Sequence, residues 1–171
     1  MARREKAIEK PEEAKMDIVK LVASLAICFA AAAIGSVSTY SEIPTWYARI
    51  QKPWFTPPNW VFGPVWTLLY AMMGISFYLI WMKGLKDKRV PQALGAFALQ
   101  LGLNALWSIL FFGLHNPLLA FVEIIFLWIA IAATISLAMK VSRLGGLLLI
   151  PYLCWVSFAS LLTLSVWDLN P

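Results

Sequence analysis

Five apolar runs alternate with short polar or basic segments along the chain, and this alternation sets the expected architecture. The runs cover about residues 20–41, 59–82, 90–114, 118–139 and 144–167, and acidic or basic residues within them are rare. A helix rises 1.5 Å per residue, so ~20 apolar residues cross the hydrocarbon core of a bilayer. The pattern predicts an all-α fold, an integral membrane bundle of five transmembrane helices. Residues 18–171 form a single domain behind a polar tail over 1–17, where five basic residues face five acidic ones. That leader is too long and too acidic for a secretory signal, so the first run reads as a span. The breaks are equally local. Pro53, Pro57 and Pro58 fix an extended first loop, because each ring locks φ and pushes its predecessor out of helical geometry. Asn59 is the expected N-cap of the second span, with Pro64 near its first turn. His115-Asn116-Pro117 makes a tight turn, and Lys83–Arg89 and Lys140–Arg143 are basic loops.

Composition agrees with this pattern. The 171 residues are 61% hydrophobic and 13% charged, against about a quarter charged for a soluble domain. The net charge of +5 matters less than its placement. Twelve of the fourteen Lys and Arg residues fall before the first span and in the second and fourth loops. Short basic loops stay cytoplasmic, which puts the N-terminus inside and the first loop and C-terminus outside. Cys28 and Cys154 both lie in apolar runs and read as reduced, packed thiols. No nucleotide-binding loop, Ser/His/Asp set, metal-ligand cluster or nucleic-acid module is present, so no metal is expected and nucleic acid is not an expected partner.

Helical periodicity separates faces within the spans. Gln100, Asn104, Trp107 and Phe111 share one face of the third span. Gly95, Ala98, Gly102 and Ala105 share another, about 200° away at ~100° per residue. Small residues let helices approach closely in lipid, so this second face reads as a dimer contact or, equally, as packing within the monomer. Trp66, Tyr70, Met73 and Phe77 form a stripe on the second span, and Trp155, Ala159 and Leu162 form one on the fifth. Trp66, Trp107 and Trp155 lie deep and read as walls of an internal pocket. Trp46, Trp54, Trp81 and Trp167 read as an interfacial aromatic belt. Glu123 is the only acidic residue within a span. An ionisable group at that depth is a candidate for a ligand or proton role, although its position near the loop also permits snorkelling. His115, without a second histidine at ligand spacing, reads as a solvated turn residue.

The stretch from Trp46 to Trp81 carries five of the nine tryptophans, and its motifs resemble those of the translocator protein family, TspO/MBR. The matching residues are Lys52-Pro53-Trp54, Pro57-Pro58-Asn59-Trp60, Pro64-Val65-Trp66 and Tyr70. The likeness resumes at Leu103-Asn104 with Trp107 and Phe111-Phe112-Gly113, and again at Pro151-Tyr152-Leu153 with Trp155, Phe158 and Ala159. The resemblance implies a pocket for a flat hydrophobic ligand such as a porphyrin, walled by Tyr47, Trp66, Asn104, Trp107, Phe112, Trp155 and Ala159. With it go the stripe residue Tyr70 and the positions Leu119, Glu123 and Cys154. Leu119 stands where the family often has tryptophan, and Cys154 replaces a smaller residue. Eukaryotic members end in a sterol-recognition pattern, but Leu162–Asp168 reads LTLSVWD and lacks its tyrosine and arginine, which leaves sterol binding at this terminus unsupported.

The expected function is therefore a receptor or translocator for tetrapyrroles, with porphyrin or haem as ligand rather than obligatory cofactor. The residue 46–59 loop caps the cavity, the protein forms a homodimer in a prokaryotic cell membrane, and a sensory output is one possible consequence. A rival reading is light-dependent breakdown of protoporphyrin in the same pocket, with Trp66 and Trp155 taking part. A third is a membrane scaffold acting through a protein partner.

Overall fold

The computed structural model describes residues 16–170, so most of the polar tail read from the sequence, residues 1–15, lies outside it. Five helices in the described part are long and apolar enough to cross a membrane. They begin and end within a few residues of the expected spans. Helix α1 is Ile18–Tyr40, α2 is the short Trp46–Arg49 segment of the first loop, and α3 is Asn59–Trp81. Helix α4, Arg89–Ser108, continues into a π-helical turn at Ile109–Gly113, followed by α5 at Pro117–Val141. The last span is broken into α6, Arg143–Leu147, and α7, Ile150–Leu169.

Local chemistry explains most of these boundaries. Asp17 caps α1 by accepting from the Lys20 backbone N–H at 3.1 Å. Asn116 caps α5 through the Leu119 N–H at 3.0 Å, with Pro117 in the first turn, where its missing donor is not needed. His115 precedes that cap at φ +50°, a left-handed backbone that reverses the chain between the two helices. The expected cap at Asn59 is not formed. Asn59 is itself the first helical residue, Pro58 holds the cap position, and no side chain bonds there. Ser142 caps α6 through the Gly145 N–H at 3.3 Å, and Pro151 sits in the first turn of α7.

The packing follows the connections. Helices α4 and α5 form a hairpin, α5 lies against α7, and α1 lies against both α3 and α4. Small residues allow the closest approaches. A Cβ at Gly74 would lie 3.0 Å from the Leu25 Cα, so α1 and α3 are in backbone contact there. At the basic-loop end Ser76 donates to the Gly145 carbonyl at 2.7 Å and ties α3 to α6. The main core runs through Met73, Phe97, Leu127 and Tyr152, and a second cluster of Tyr47, Phe111, Phe112, Ala120 and Val166 closes the opposite end.

Two expectations change here. Gly95, Ala98 and Gly102 do form an outward stripe, but Ala105 is buried against α1, where its Cα lies 3.9 Å from the Cβ position of Gly35. One residue of the small-residue face thus serves the monomer. Cys28 is buried as expected, whereas Cys154 is exposed on the outside of α7.

Candidate ligand-binding cavity

The bundle encloses a cavity of about 650 Å³ between α1, α3, α4 and α7 at the first-loop end. This is within the ~300–1,000 Å³ usual for small-molecule sites. Tyr47, Trp66, Tyr70, Asn104, Trp107, Phe112, Trp155 and Ala159 all line it, so eight of the side chains expected at the pocket meet in one space. Trp66, Trp107 and Trp155 come from α3, α4 and α7 respectively.

The aromatic packing is continuous around the wall. Trp66 lies against Tyr70 and Tyr152, with ring centroids 5.6 and 6.2 Å apart. Trp107 stacks on Phe111 at 5.1 Å and 16°, and Trp155 meets Phe62 edge-on at 5.9 Å. The π-helical turn explains why Phe111 and Phe112 are both buried. Adjacent residues of an α-helix point ~100° apart, but the wider turn, closed by Leu114 N–H donating to the Ile109 carbonyl at 2.8 Å, lets both rings pack inward.

The wall is less polar than its composition implies. Ser36, Thr39, Thr67 and Thr163 each donate to a carbonyl three or four residues earlier on their own helix, at 2.8–3.0 Å. These bonds satisfy the hydroxyls locally and leave methyl and methylene groups to face the cavity. The exception is the floor. There the Tyr70 hydroxyl donates to the Asn104 carbonyl oxygen, and the Asn104 amide donates to the Tyr152 hydroxyl at 3.0 Å. Three helices are thus joined by one buried polar triad beneath an otherwise apolar space.

The first loop closes the top. Tyr47 packs on Phe111 and Phe112 and is buried; burial pushes its phenol pKa up, so it remains neutral. The Lys52 ammonium donates to the Tyr47 and Ile50 carbonyls at 2.5 and 3.2 Å and lies 4.6 Å from the Tyr47 ring centre. Asn170, just past the end of α7, accepts from the Gln51 N–H at 3.0 Å and donates to the Gln51 carbonyl at 2.9 Å. Trp46 stacks on His115 at 4.6 Å and 14°, and His115 Nε2 lies 3.0 Å from a Glu42 carboxylate oxygen. Hydrogen bonds from Thr45 and then His115 hold the Glu42 carboxyl below its ordinary pKa of 4.5. Trp46 is therefore a packing residue rather than part of an interfacial belt, and His115 is a loop anchor rather than a free turn residue. Trp54, by contrast, is almost wholly exposed.

Three expected pocket residues stand elsewhere. Helix α5 contributes nothing to the cavity wall, because it packs behind α4 and α7. Leu119 is accordingly 48% exposed on the far side of the bundle. Cys154 is rotated away by its place one residue before Trp155. Glu123 is buried outside the cavity, with neither carboxylate oxygen hydrogen-bonded among the described residues. Sequence reasoning missed the contribution of α1, whose Phe29, Ala32, Ser36 and Thr39 complete the wall. Small and apolar residues of that kind carry no signal distinguishing a cavity wall from a lipid-facing side.

The comparisons with known proteins agree with this arrangement. The TspO/MBR family model matches residues 24–168. The tryptophan-rich protein TspO of Archaeoglobus fulgidus is 51% identical over 156 residues, covering 91% of this chain and 99% of that protein. The human translocator protein is 41% identical over 139 residues, covering 80% and 82%. The tryptophan-rich sensory protein of Cereibacter sphaeroides is 34% identical over 155 residues, covering 91% and 94%. With the family model spanning most of its length and all five membrane helices, the chain is a multi-pass integral membrane protein of the TspO/MBR family.

Proposed function

We propose that the protein is a membrane receptor or translocator that binds a porphyrin-like ligand, or another flat apolar molecule, in the cavity beneath the first loop. The observation that carries this reading is the meeting of Trp66, Trp107 and Trp155, from three different spans, around one apolar space. A planar macrocycle lying among them gains roughly 25 cal/mol per Å² of buried apolar surface and about 0.5–1.5 kcal/mol for each stacked ring. The proposed orientation places the N-terminus in the cytoplasm of a prokaryotic cell and the capping loop outside, in keeping with the basic-residue bias. We also assign a homodimer contact to the outward stripe of Gly95, Ala98 and Gly102, because two such stripes allow close backbone approach.

A fluorescence-quenching titration with protoporphyrin IX, in detergent where the variants remain folded, tests the site. Truncating Trp66, Trp107 or Trp155 to Ala should cost ~1–3 kcal/mol, a factor of roughly 5–150 in Kd. Ala159→Phe should weaken binding by filling the space, and Trp54→Phe should bind like the parent. Full affinity in both Trp155→Ala and Ala159→Phe would remove the cavity as the site. Following the porphyrin spectrum under illumination in the same samples reads the rival activity, since breakdown at Trp66 and Trp155 would generate new absorbing products.

A further inference from the structure

Helices α1 and α3 touch along only part of their length, and the point where they separate lies beside the cavity. They run antiparallel, with Asp17 N–H facing the Tyr78 hydroxyl at 3.3 Å, Leu25 against Gly74, and Phe29 against Tyr70 at 6.3 Å between ring centres. Each four-residue step up α1 is matched by four residues back along α3. Continuing that register would pair Ala33 with Trp66, Ser36 with Gly63 and Tyr40 with Asn59. Instead, all six of these residues line the cavity.

The separation is also visible in exposure. A Cβ at Gly74 would collide with Leu25, whereas one at Gly63 would meet nothing within 4 Å. Ala33, Ser36, Asn59 and Gly63 are exposed although they face the cavity, and Trp60 and Tyr40 at its rim are 75% and 84% exposed. From Asn59 to Trp66 the gap spans ~10 Å of helix axis at 1.5 Å per residue, placing it within one leaflet rather than at the water surface. The neighbouring outward residues Ile34 and Val37 are apolar, as lipid contact requires.

The route from water is closed by comparison. A ligand passing through the first loop would have to break the Gln51–Asn170 pair, the Lys52 bonds and the packing of Trp46 on His115. A ligand arriving between α1 and α3 displaces only lipid chains.

From this we infer that the cavity is filled laterally, through a portal between α1 and α3 bounded by Ala33, Ser36, Gly63 and Trp66, by ligands already dissolved in the hydrocarbon of that leaflet. The inference rests on the ligand reading above. It narrows the ligand class to molecules that partition into the bilayer, and it makes the loop a fixed roof rather than a moving door.

The test uses the full chain as Gly63→Cys in lipid nanodiscs, modified by a benzyl methanethiosulfonate and restored by dithiothreitol. One folded sample thereby serves as its own control, and the parent, with its exposed Cys154, reports labelling elsewhere. Protoporphyrin IX is supplied from donor vesicles, and tryptophan quenching is followed by stopped flow; dissociation is followed into excess empty vesicles. The adduct should slow association and dissociation together by about tenfold or more, the effect of ~1.4 kcal/mol of added barrier, and reduction should restore both rates. Asn170→Ala, which loosens the roof, should leave both rates as in the parent. Saturable quenching with rates indifferent to the adduct, or faster in Asn170→Ala, would overturn the portal while leaving the cavity site standing. An absence of quenching at saturating porphyrin would overturn both.

Discussion

Replacing Asn104 with Leu would keep the side chain's approximate volume and remove the centre of the polar triad at the cavity floor. In the native protein the Asn104 carbonyl oxygen accepts from Tyr70 and its amide donates to the Tyr152 hydroxyl at 3.0 Å. All three residues are buried, Tyr152 completely, so protein side chains rather than bulk water must satisfy the two stranded phenols. Hydrogen bonds within membrane bundles are worth ~0.6 kcal/mol on average and up to ~1.7. A stranded buried group costs ~1–3 kcal/mol where no substitute partner can be reached. Losing both bonds should therefore destabilise the bundle by ~1–3 kcal/mol. Tyr70→Phe should cost less, because Asn104 keeps its bond to Tyr152. The informative quantity is the coupling between the two changes. With Asn104 gone, removing the Tyr70 hydroxyl breaks nothing further, so the double variant should fall short of the summed single costs by ~0.6–1.7 kcal/mol. Reversible unfolding in mixed detergent, followed by tryptophan fluorescence, measures all four corners of the cycle. Strict additivity, or an Asn104→Leu variant as stable as the parent, would refute the view that the triad binds α3, α4 and α7 together.

Three further outcomes follow from features at either end of the bundle. Asn170→Ala removes two hydrogen bonds from Gln51, worth ~1–3 kcal/mol together, and amide exchange in the residue 46–58 loop should accelerate ~5–150-fold; unchanged protection would show that the loop is held by other contacts. Because hydrogen bonds from Thr45 and His115 lower the Glu42 pKa from 4.5, its contribution is complete above that value and is lost as pH falls through the lowered one. Loop exchange should therefore rise on acidification below pH 4.5 in the parent, and Glu42→Gln should show that faster exchange already at neutral pH. Gly102→Leu should lower the yield of cross-linked dimer in membranes while Asn104→Leu keeps it, and the reverse pattern would mean the α4 faces are exchanged.

Much of the fold was readable because the membrane simplifies the signal. Any run of ~20 uncharged residues must satisfy its own backbone as a helix, so the spans emerge from hydropathy within a few residues. The inward face of α4 was equally legible, since Gln100, Asn104, Trp107 and Phe111 share one side of a wheel. Periodicity could not rank neighbours, however. Nothing in the α5 pattern shows that it stands behind α4, so Leu119 and Glu123 look as eligible for the pocket as Phe112. The roles of Trp46, His115 and Glu42 depend on two loops meeting, a contact 73 residues apart in sequence for Glu42 and His115. The parting of α1 from α3 depends on a divergence that no local pattern encodes, because Gly63 and Gly74 look alike in sequence and differ only in what stands opposite.

The π-helical turn at Ile109–Gly113 has a consequence for chain length. A turn closed five residues back holds one residue more than an α-helical turn, so the α4–α5 hairpin carries a built-in surplus of one. Deleting Leu110 need not break the helix; it would let the segment relax into ordinary α-helix while turning everything beyond it by about 100°. Phe111 and Phe112 could then no longer both point inward, and Asn116 would be carried away from its place at the head of α5. This segment should accept a one-residue deletion as regular helix and still lose the aromatic corner beneath the loop, so that helix content and cavity shape become separately adjustable.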